Sequence, residues 1–384
     1  GRSMASLKLP GQLFLGAGSV LELERLLKEH ARVVLMTDRG VRATGICEAV
    51  VAAMERAGCV VSVVDNIPSE PSLPAAQEAI EACRESQADA IVAVGGGSVM
   101  DVAKLASLLP KGSSYELIDL VQNPLLGKKS LKTVMIPTTA GTGAEATGNA
   151  IVTLPDQQVK QGIVSPEMVC DYVILDPDMT RTTPIRVATA ACIDALAHAI
   201  ECFTSLKATP LSDLYALEAL RLIFSNAEAG CLQGEEKARE ALLMAAYAGG
   251  AAIAGSGTTA VHALSYPLGG RFHIPHGISN AILLSPVMRF NEPCCREKFA
   301  RVHDMLRPQC AELPQTEKSE WLLKELENLV EKLGIPKTLG SFGVTREHLE
   351  WLVDAGMQVT RLLNNNPRTV SADDARKLYL EVLD

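Results

Sequence analysis

The sequence predicts two domains: an α/β amino-terminal domain on a Rossmann-like parallel sheet, then an all-α carboxy-terminal domain. Three observations predict them. Short β-branched runs alternate with helical stretches from residue 32 to about 175, glycine- and hydroxyl-rich turns close two of those runs, and strand signals cease beyond Asp176-Pro177. The boundary is expected near residue 183, giving domains 1–183 and 184–384.

The first run is RVVLMTD (32–38), with helix from about 45, then CVVSVVD (59–65), helix from about 74, and DAIVAV (89–94) with a helix opening near Ser98. Further strands are expected at TVMIP (133–137), AIVTL (150–154) and YVIL (172–175). Strands separated by helix-length stretches form βαβ units, and these build parallel sheets. Pro184 opens a region expected to be helical almost to the end, with loops at 255–275 and 334–346. Residues 241–261 carry no charge and reach membrane-spanning length, but Ala, Gly, Ser and Thr dominate them and insert poorly. A buried helix running into a glycine loop fits better. No internal repeat is present.

With 47% hydrophobic and 21% charged residues, the 384-residue chain can bury substantial cores and lies far from disordered composition. Its 36 basic residues stand against 45 acidic ones, a formal charge of -9 without any basic tract, which argues against nucleic-acid or anionic-membrane partners. The opening GRSMASLKLP lacks an apolar targeting core, and Gly1-Arg2-Ser3 before Met4 reads as an expression scar, so a cytoplasmic location is expected. Ten cysteines without a C-x-x-C spacing read as reduced, buried thiols.

DAIVAV runs directly into Gly95-Gly96-Gly97-Ser98, after which Val99 to Lys104 reads as helix. Glycines let backbone N–H groups approach a phosphate without Cβ interference, and the helix start adds partial positive charge. Ser98 with Asp101 equally fits a capping box, in which case the turn binds nothing. A second loop, Pro137-Thr138-Thr139-Ala140-Gly141-Thr142-Gly143-Ala144-Glu145, also follows a strand, and the two together suggest a nucleotide site. Asp38 ends the first strand, where a carboxylate accepts from a ribose 2′-OH and repels a 2′-phosphate, favouring NAD(H) over NADP(H). A turn-forming Asp before Arg39-Gly40 is the competing reading.

From Val187 to Phe203 the sequence is apolar nearly all round except at Asp194, His198 and Glu201, the pattern of a buried helix. Asp194 and His198 are four apart and share a face, with Cβ atoms about 6 Å apart. A buried carboxylate needs a cation or a salt bridge. Of seven histidines, His262, His273 and His276 cluster within fifteen residues downstream. One carboxylate and three imidazoles suit Fe²⁺ or Zn²⁺ better than Ca²⁺ or Mg²⁺.

The segments GGGSVMD, PTTAGTGAE, DALAHAIE and HALSYPLGGRFHIPHG, in this order, closely resemble the iron-containing (group III) alcohol dehydrogenases, and the likeness runs from Gly11 to NNNPR at 364–368. That resemblance implies the dehydroquinate synthase-like fold of the family. It implies Asp194, His198, His262 and His276 as ligands of Fe²⁺, with Zn²⁺ the alternative. It puts NAD(H) on Gly95, Gly96, Gly97, Ser98 and Asp101, with Asp38 at the ribose and Thr138, Thr139 and Thr142 in the second loop. Asn149, Ile253 and Leu362 fall where pocket residues lie in the family, implying a small, largely apolar cavity. Homo-oligomers, dimers or higher, are also implied.

One departure is Tyr266, where many members carry a histidine four residues after the third ligand; Tyr266 or His273 is then the candidate proton carrier. The expected activity is reversible hydride transfer between nicotinamide and a small alcohol or aldehyde. Arg271 and Arg361 raise the alternative of an acidic or hydroxylated carbonyl substrate, such as a hydroxy-acid semialdehyde, lactaldehyde or a glycerol-type compound. A non-redox metal lyase or hydrolase and a nucleotide sensor are the other readings. Glycerol dehydrogenases, dehydroquinate synthases and maleylacetate reductases share the resemblance but fit the four-ligand set less well.

Overall fold

A computed structural model describes residues 4–157 and 159–384, so Gly1-Arg2-Ser3 lies outside the described residues. The chain divides into two compact units, one of Lys8–Thr183 and one joining the segment up to Leu7 to Pro184–Asp384. The stretch before Lys8 therefore goes with the helical unit rather than with residues 8–183. Leu7 accounts for this by packing Cδ1 against Gly255, 3.4 Å from where a Cβ would stand.

Among its described residues the first unit has eight strands: β1 (Gln12–Leu15), β2 (Arg32–Met36), β3 (Val60–Val64), β4 (Ala90–Gly95), β5 (Lys132–Pro137), β6 (Asn149–Leu154), β7 (Val159–Val164) and β8 (Tyr172–Leu175). Six form a parallel sheet in the order β1-β8-β5-β4-β2-β3. Every residue of β4 is buried, as expected of a central parallel strand covered on both faces. Val33, Leu35, Val92, Val94 and Val134 share one core with Val50 and Met54 of the helix Cys47–Arg56. The chain steps from β2 to β3 on one side and then to β4 on the other, so a switch point lies between β2 and β4. Asp38, the glycine turn and the hydroxyl-rich loop leave the carboxyl ends of β2, β4 and β5, three adjacent strands.

AIVTL does not join that sheet. It lies in β6, which pairs antiparallel with β7, Asn149 opposite Val164 and Leu154 opposite Val159. Burial explains the difference: β6 alternates between exposed and buried positions instead of being covered on both faces. β7 itself is not evident in the sequence because Lys160-Gln161-Gly162 interrupts its apolar pattern. β1, four residues at the sheet edge of which none is buried, is too short to register as a period.

The second unit contains no strand among the described residues. Its long helices are Ile185–Thr204, Pro210–Cys231, Glu236–Gly255, Ala260–Phe272, His276–Leu306 and Gln315–Lys332, followed by Leu349–Met357 and Ala372–Leu383. The loop expected at 255–275 is mostly the helix Ala260–Phe272, with short breaks on either side. Pro267 and Gly269-Gly270 read as breakers, but burial overrides them. Val261, Ala263, Leu264 and Leu268 are fully buried, and the Tyr379 hydroxyl donates to the Leu264 carbonyl at 2.7 Å.

Ile185–Thr204 is long and apolar enough to cross a membrane, but 83% of its most apolar window is buried inside the protein. Residues 241–261 bend sharply between Glu236–Gly255 and Ala260–Phe272, which meet at 107°. All ten cysteines are free, and only Cys294 is exposed and Cys310 half-buried.

Candidate metal centre and nucleotide turn

Asp194, His198 and Glu201 recur at i, i+4 and i+7 on the Ile185–Thr204 helix and so share one buried face. His262 stands in the first turn of Ala260–Phe272, and His276 is the first residue of His276–Leu306. Gly277 makes that approach possible, because a Cβ there would lie 2.3 Å from the Ala190 carbonyl oxygen. Asp194 Oδ1 lies 3.4 Å from His198 Nε2, 3.6 Å from His262 Nε2 and 3.3 Å from His276 Nε2. The four candidate ligand atoms all fall within 4.8 Å of one another. Bonds of about 2.0–2.1 Å around a tetrahedral ion separate neighbouring ligand atoms by about 3.3 Å, so this donor set fits a four-coordinate divalent metal.

The electrostatics agree. Burial alone would lower the His262 pKa, yet Glu201 and Asp194 outweigh it and hold it up to about 10, so two carboxylates favour positive charge here. Burial pushes His198 down to about 4 despite Asp194 beside it. Burial opposes the charge on Asp194 as well, but the histidines hold its carboxyl well below the usual range. Asn280 Nδ2 donates to Asp194 Oδ1 at 2.8 Å and lies 3.2 Å from His262 Nε2 and 3.0 Å from His276 Nε2. Asn280 Oδ1 and His198 Nδ1 are buried without hydrogen-bond partners, as expected where polar groups are arranged around an ion.

His273 is not part of this set: it is exposed, in the left-handed region at φ 55°, at the end of Ala260–Phe272. Tyr266 stands one turn beyond His262 on the same face. Burial pushes its phenol up, while the positive charge of Arg361, and then its hydrogen bond, draw it part of the way back.

In the first unit Gly96 is the N-cap of the helix Gly97–Ser107, with no side-chain cap. The Ser98–Asp101 capping box does not form, because Ser98 already lies inside the first turn. Ser98 Oγ instead accepts from Glu70 N at 3.0 Å, and Asp101 Oδ2 from Ile151 N at 3.1 Å. The first-turn N–H groups are thereby left for an anion. The two loops pack together: a Cβ on Gly97 would come 3.1 Å from the Thr142 side chain, and one on Gly96 3.8 Å from Thr139 Oγ1. Thr138 N donates to the Gly95 carbonyl at 3.0 Å. Asp38 Oδ1 accepts from Val41 N at 2.7 Å, so Asp38 does cap the short helix Arg39–Ala43.

Asn149 opens β6, its carbonyl accepting from the buried Lys104 Nζ at 2.8 Å. It belongs to the first unit, whereas the half-buried Ile253 and the buried Leu362 belong to the second. A cavity of about 280 Å³ lined by Cys83, Arg84, Leu109, Lys111 and Leu131 includes none of these residues. Its titratable side chains, Cys83, Arg84 and Lys111, include no carboxylate or imidazole to act as a general base.

Sequence reasoning did not assign roles to Glu201, Asn280 or Lys104. Glu201 had a signal, a third polar residue on the apolar helix. Nothing in the sequence singled out Asn280.

Two family models match the chain: iron-containing alcohol dehydrogenase over residues 10–177, and the C-terminal part of the Fe-containing alcohol dehydrogenase family over 188–383. A long-chain-alcohol dehydrogenase 1 from Geobacillus thermodenitrificans is 36% identical, covering 98% of this chain and 96% of the relative. An NAD-dependent methanol dehydrogenase from Bacillus methanolicus is 29% identical over 99% of this chain and all of the relative. Among solved structures, a 1,3-propanediol oxidoreductase superposes with a TM-score of 0.91 at 27% identity, covering 98% of this chain and 99% of the other.

Proposed function

The chain belongs to the iron-containing alcohol dehydrogenase family, and on that premise we propose that it interconverts a small alcohol and its aldehyde, with NAD(H) as hydride carrier and a divalent ion held by Asp194, His198, His262 and His276. The observation that carries this is the convergence of three Nε2 atoms on one oxygen of Asp194, at 3.3 to 3.6 Å. When bound, Fe²⁺ or Zn²⁺ supplies the positive charge that stabilises an oxyanion, and nicotinamide takes up or gives the hydride. Family membership favours this over the lyase and sensor readings.

The chain's own residues do the rest. The backbone of Gly95, Gly96 and Gly97 with Ser98 receives the pyrophosphate at the uncapped helix start. Thr138, Thr139 and Thr142 supply hydroxyls beside it, and Asp101 anchors the start of β6. Asp38 Oδ1 is committed to its helix cap, leaving Oδ2 for a ribose hydroxyl. Tyr266, hydrogen-bonded to the exposed Arg361, provides a route for the alcohol proton toward solvent, and exposed His273 is the lesser candidate. Asn149, Ile253 and Leu362 are the proposed substrate contacts, suited to a short, mostly apolar molecule. A homo-oligomer is proposed, to be measured by light scattering.

Arg361 supports a second reading, an aldehyde with an acidic tail, because its guanidinium binds Tyr266 near the Asp194 cluster. Arg271 is less suited, since it lies over Trp351 at 4.5 Å and Phe272 at 5.3 Å. The test is NADH oxidation by metal-stripped protein, with and without anaerobically added Fe²⁺ or Zn²⁺, on short aldehydes with and without a carboxylate. Metal-dependent turnover is expected; full activity without metal refutes the proposal.

A further inference from the structure

Glu201 is fully buried, yet its two oxygens have different partners. Oε2 accepts from Thr259 N at 2.8 Å, Thr259 Oγ1 at 2.7 Å, Val261 N at 3.1 Å and His262 N at 3.4 Å. Thr259 is the N-cap of Ala260–Phe272 and does not cap that helix with its own side chain. A carboxylate from one helix thus caps another, next to the positive end of its dipole. Oε1 is hydrogen-bonded to His262 Nδ1.

We propose that Glu201 is a positioning residue of the metal centre, fixing the tautomer and ring orientation of His262; this rests on the metal reading above. A carboxylate only accepts, so Nδ1 must carry a hydrogen, which leaves Nε2, 3.6 Å from Asp194 Oδ1, as the atom that binds an ion when its proton is displaced. Because Oε2 is held by the start of the helix that carries His262, the same side chain sets both the position of that helix end and the direction of the ring. His198 has no such support, its Nδ1 being buried without a partner. His262 is therefore the one of this pair whose donor atom is oriented before any ion arrives.

Glu201→Gln makes the role testable. Glutamine has one acceptor oxygen, which the four donors of the helix start claim, so its NH₂ turns toward Nδ1 and drives the imidazole hydrogen onto Nε2. Equilibrium dialysis of Co²⁺ alone, with its visible absorption as a check on coordination, should show 10- to 100-fold weaker binding than in the unaltered protein, at unchanged NADH affinity. Thr259→Val removes one cap donor without touching the imidazole and should hold Co²⁺ affinity within about twofold. If Glu201→Gln does not fold, Glu201→Asp, which keeps the charge but is too short to span both partners, should weaken Co²⁺ binding at least several-fold. Equal Co²⁺ affinity in the Glu201 variant and the parent overturns the role, as does an equal loss in Thr259→Val. No Co²⁺ binding by the unaltered protein overturns the metal reading itself, and this role with it.

Discussion

Replacing Glu145 by glutamine should stabilise the first unit in a pH-dependent way. Glu145 lies at the end of the hydroxyl-rich loop, buried, with Oε1 lacking any hydrogen-bond partner. Burial pushes its carboxyl from the ordinary 4.5 up to about 7, with its own backbone N–H and Lys104 offsetting only part of the effect. The folded state therefore keeps a proton that the unfolded chain releases above about 4.5. Stability is unpenalised below that pH, falls as pH rises through the interval, and levels off above 7. The accumulated penalty is about 3 kcal/mol, and the fixed neutral amide of glutamine avoids it. Both tryptophans, Trp321 and Trp351, lie in the helical unit, so fluorescence reports the wrong region. Hydrogen exchange in urea of peptides covering β4 and β5 reads the right one, with variant and parent compared at equal pH. The variant's advantage should be small at pH 5 and approach about 3 kcal/mol at pH 8. An advantage of the same size at both pH values, or a parent more stable at pH 8, refutes the burial argument.

Asp194→Ala or His262→Ala should abolish aldehyde reduction while leaving the NADH dissociation constant within about twofold, since neither residue belongs to the nucleotide loops; fluorescence titration of NADH checks the second half. Chelation should lower the thermal midpoint, and Fe²⁺ or Zn²⁺ restored at 100 to 1,000 times its dissociation constant should return about 3–4 kcal/mol. A midpoint indifferent to metal counts against the site. Asp38→Ala should cost about 1 kcal/mol for the lost cap of Arg39–Ala43 and raise kcat/KM for NADPH relative to NADH. An unchanged cofactor ratio would leave Asp38 a cap alone.

The local features are legible in the residues alone. The β-branched runs are the strands β2, β3, β4, β5 and β8; all but the half-buried edge strand β3 are largely covered, and covered parallel strands must be continuously apolar. The glycine turn and the i, i+4 pair of Asp194 and His198 were equally legible, since a helix's periodicity fixes which residues share a face. What the sequence could not supply is anything settled by burial or by a distant partner. AIVTL became a hairpin strand because of the unrecognised β7 beside it. Ala260–Phe272 stayed helical through Pro267 because its apolar side chains are buried. Ser98 turned to Glu70 rather than to its own helix start, a choice made by a residue 28 positions away. The centre itself is tertiary: His262 and His276 reach Asp194 only because Gly277 admits a neighbouring backbone and Glu201 holds a helix end, contacts that sequence spacing does not encode.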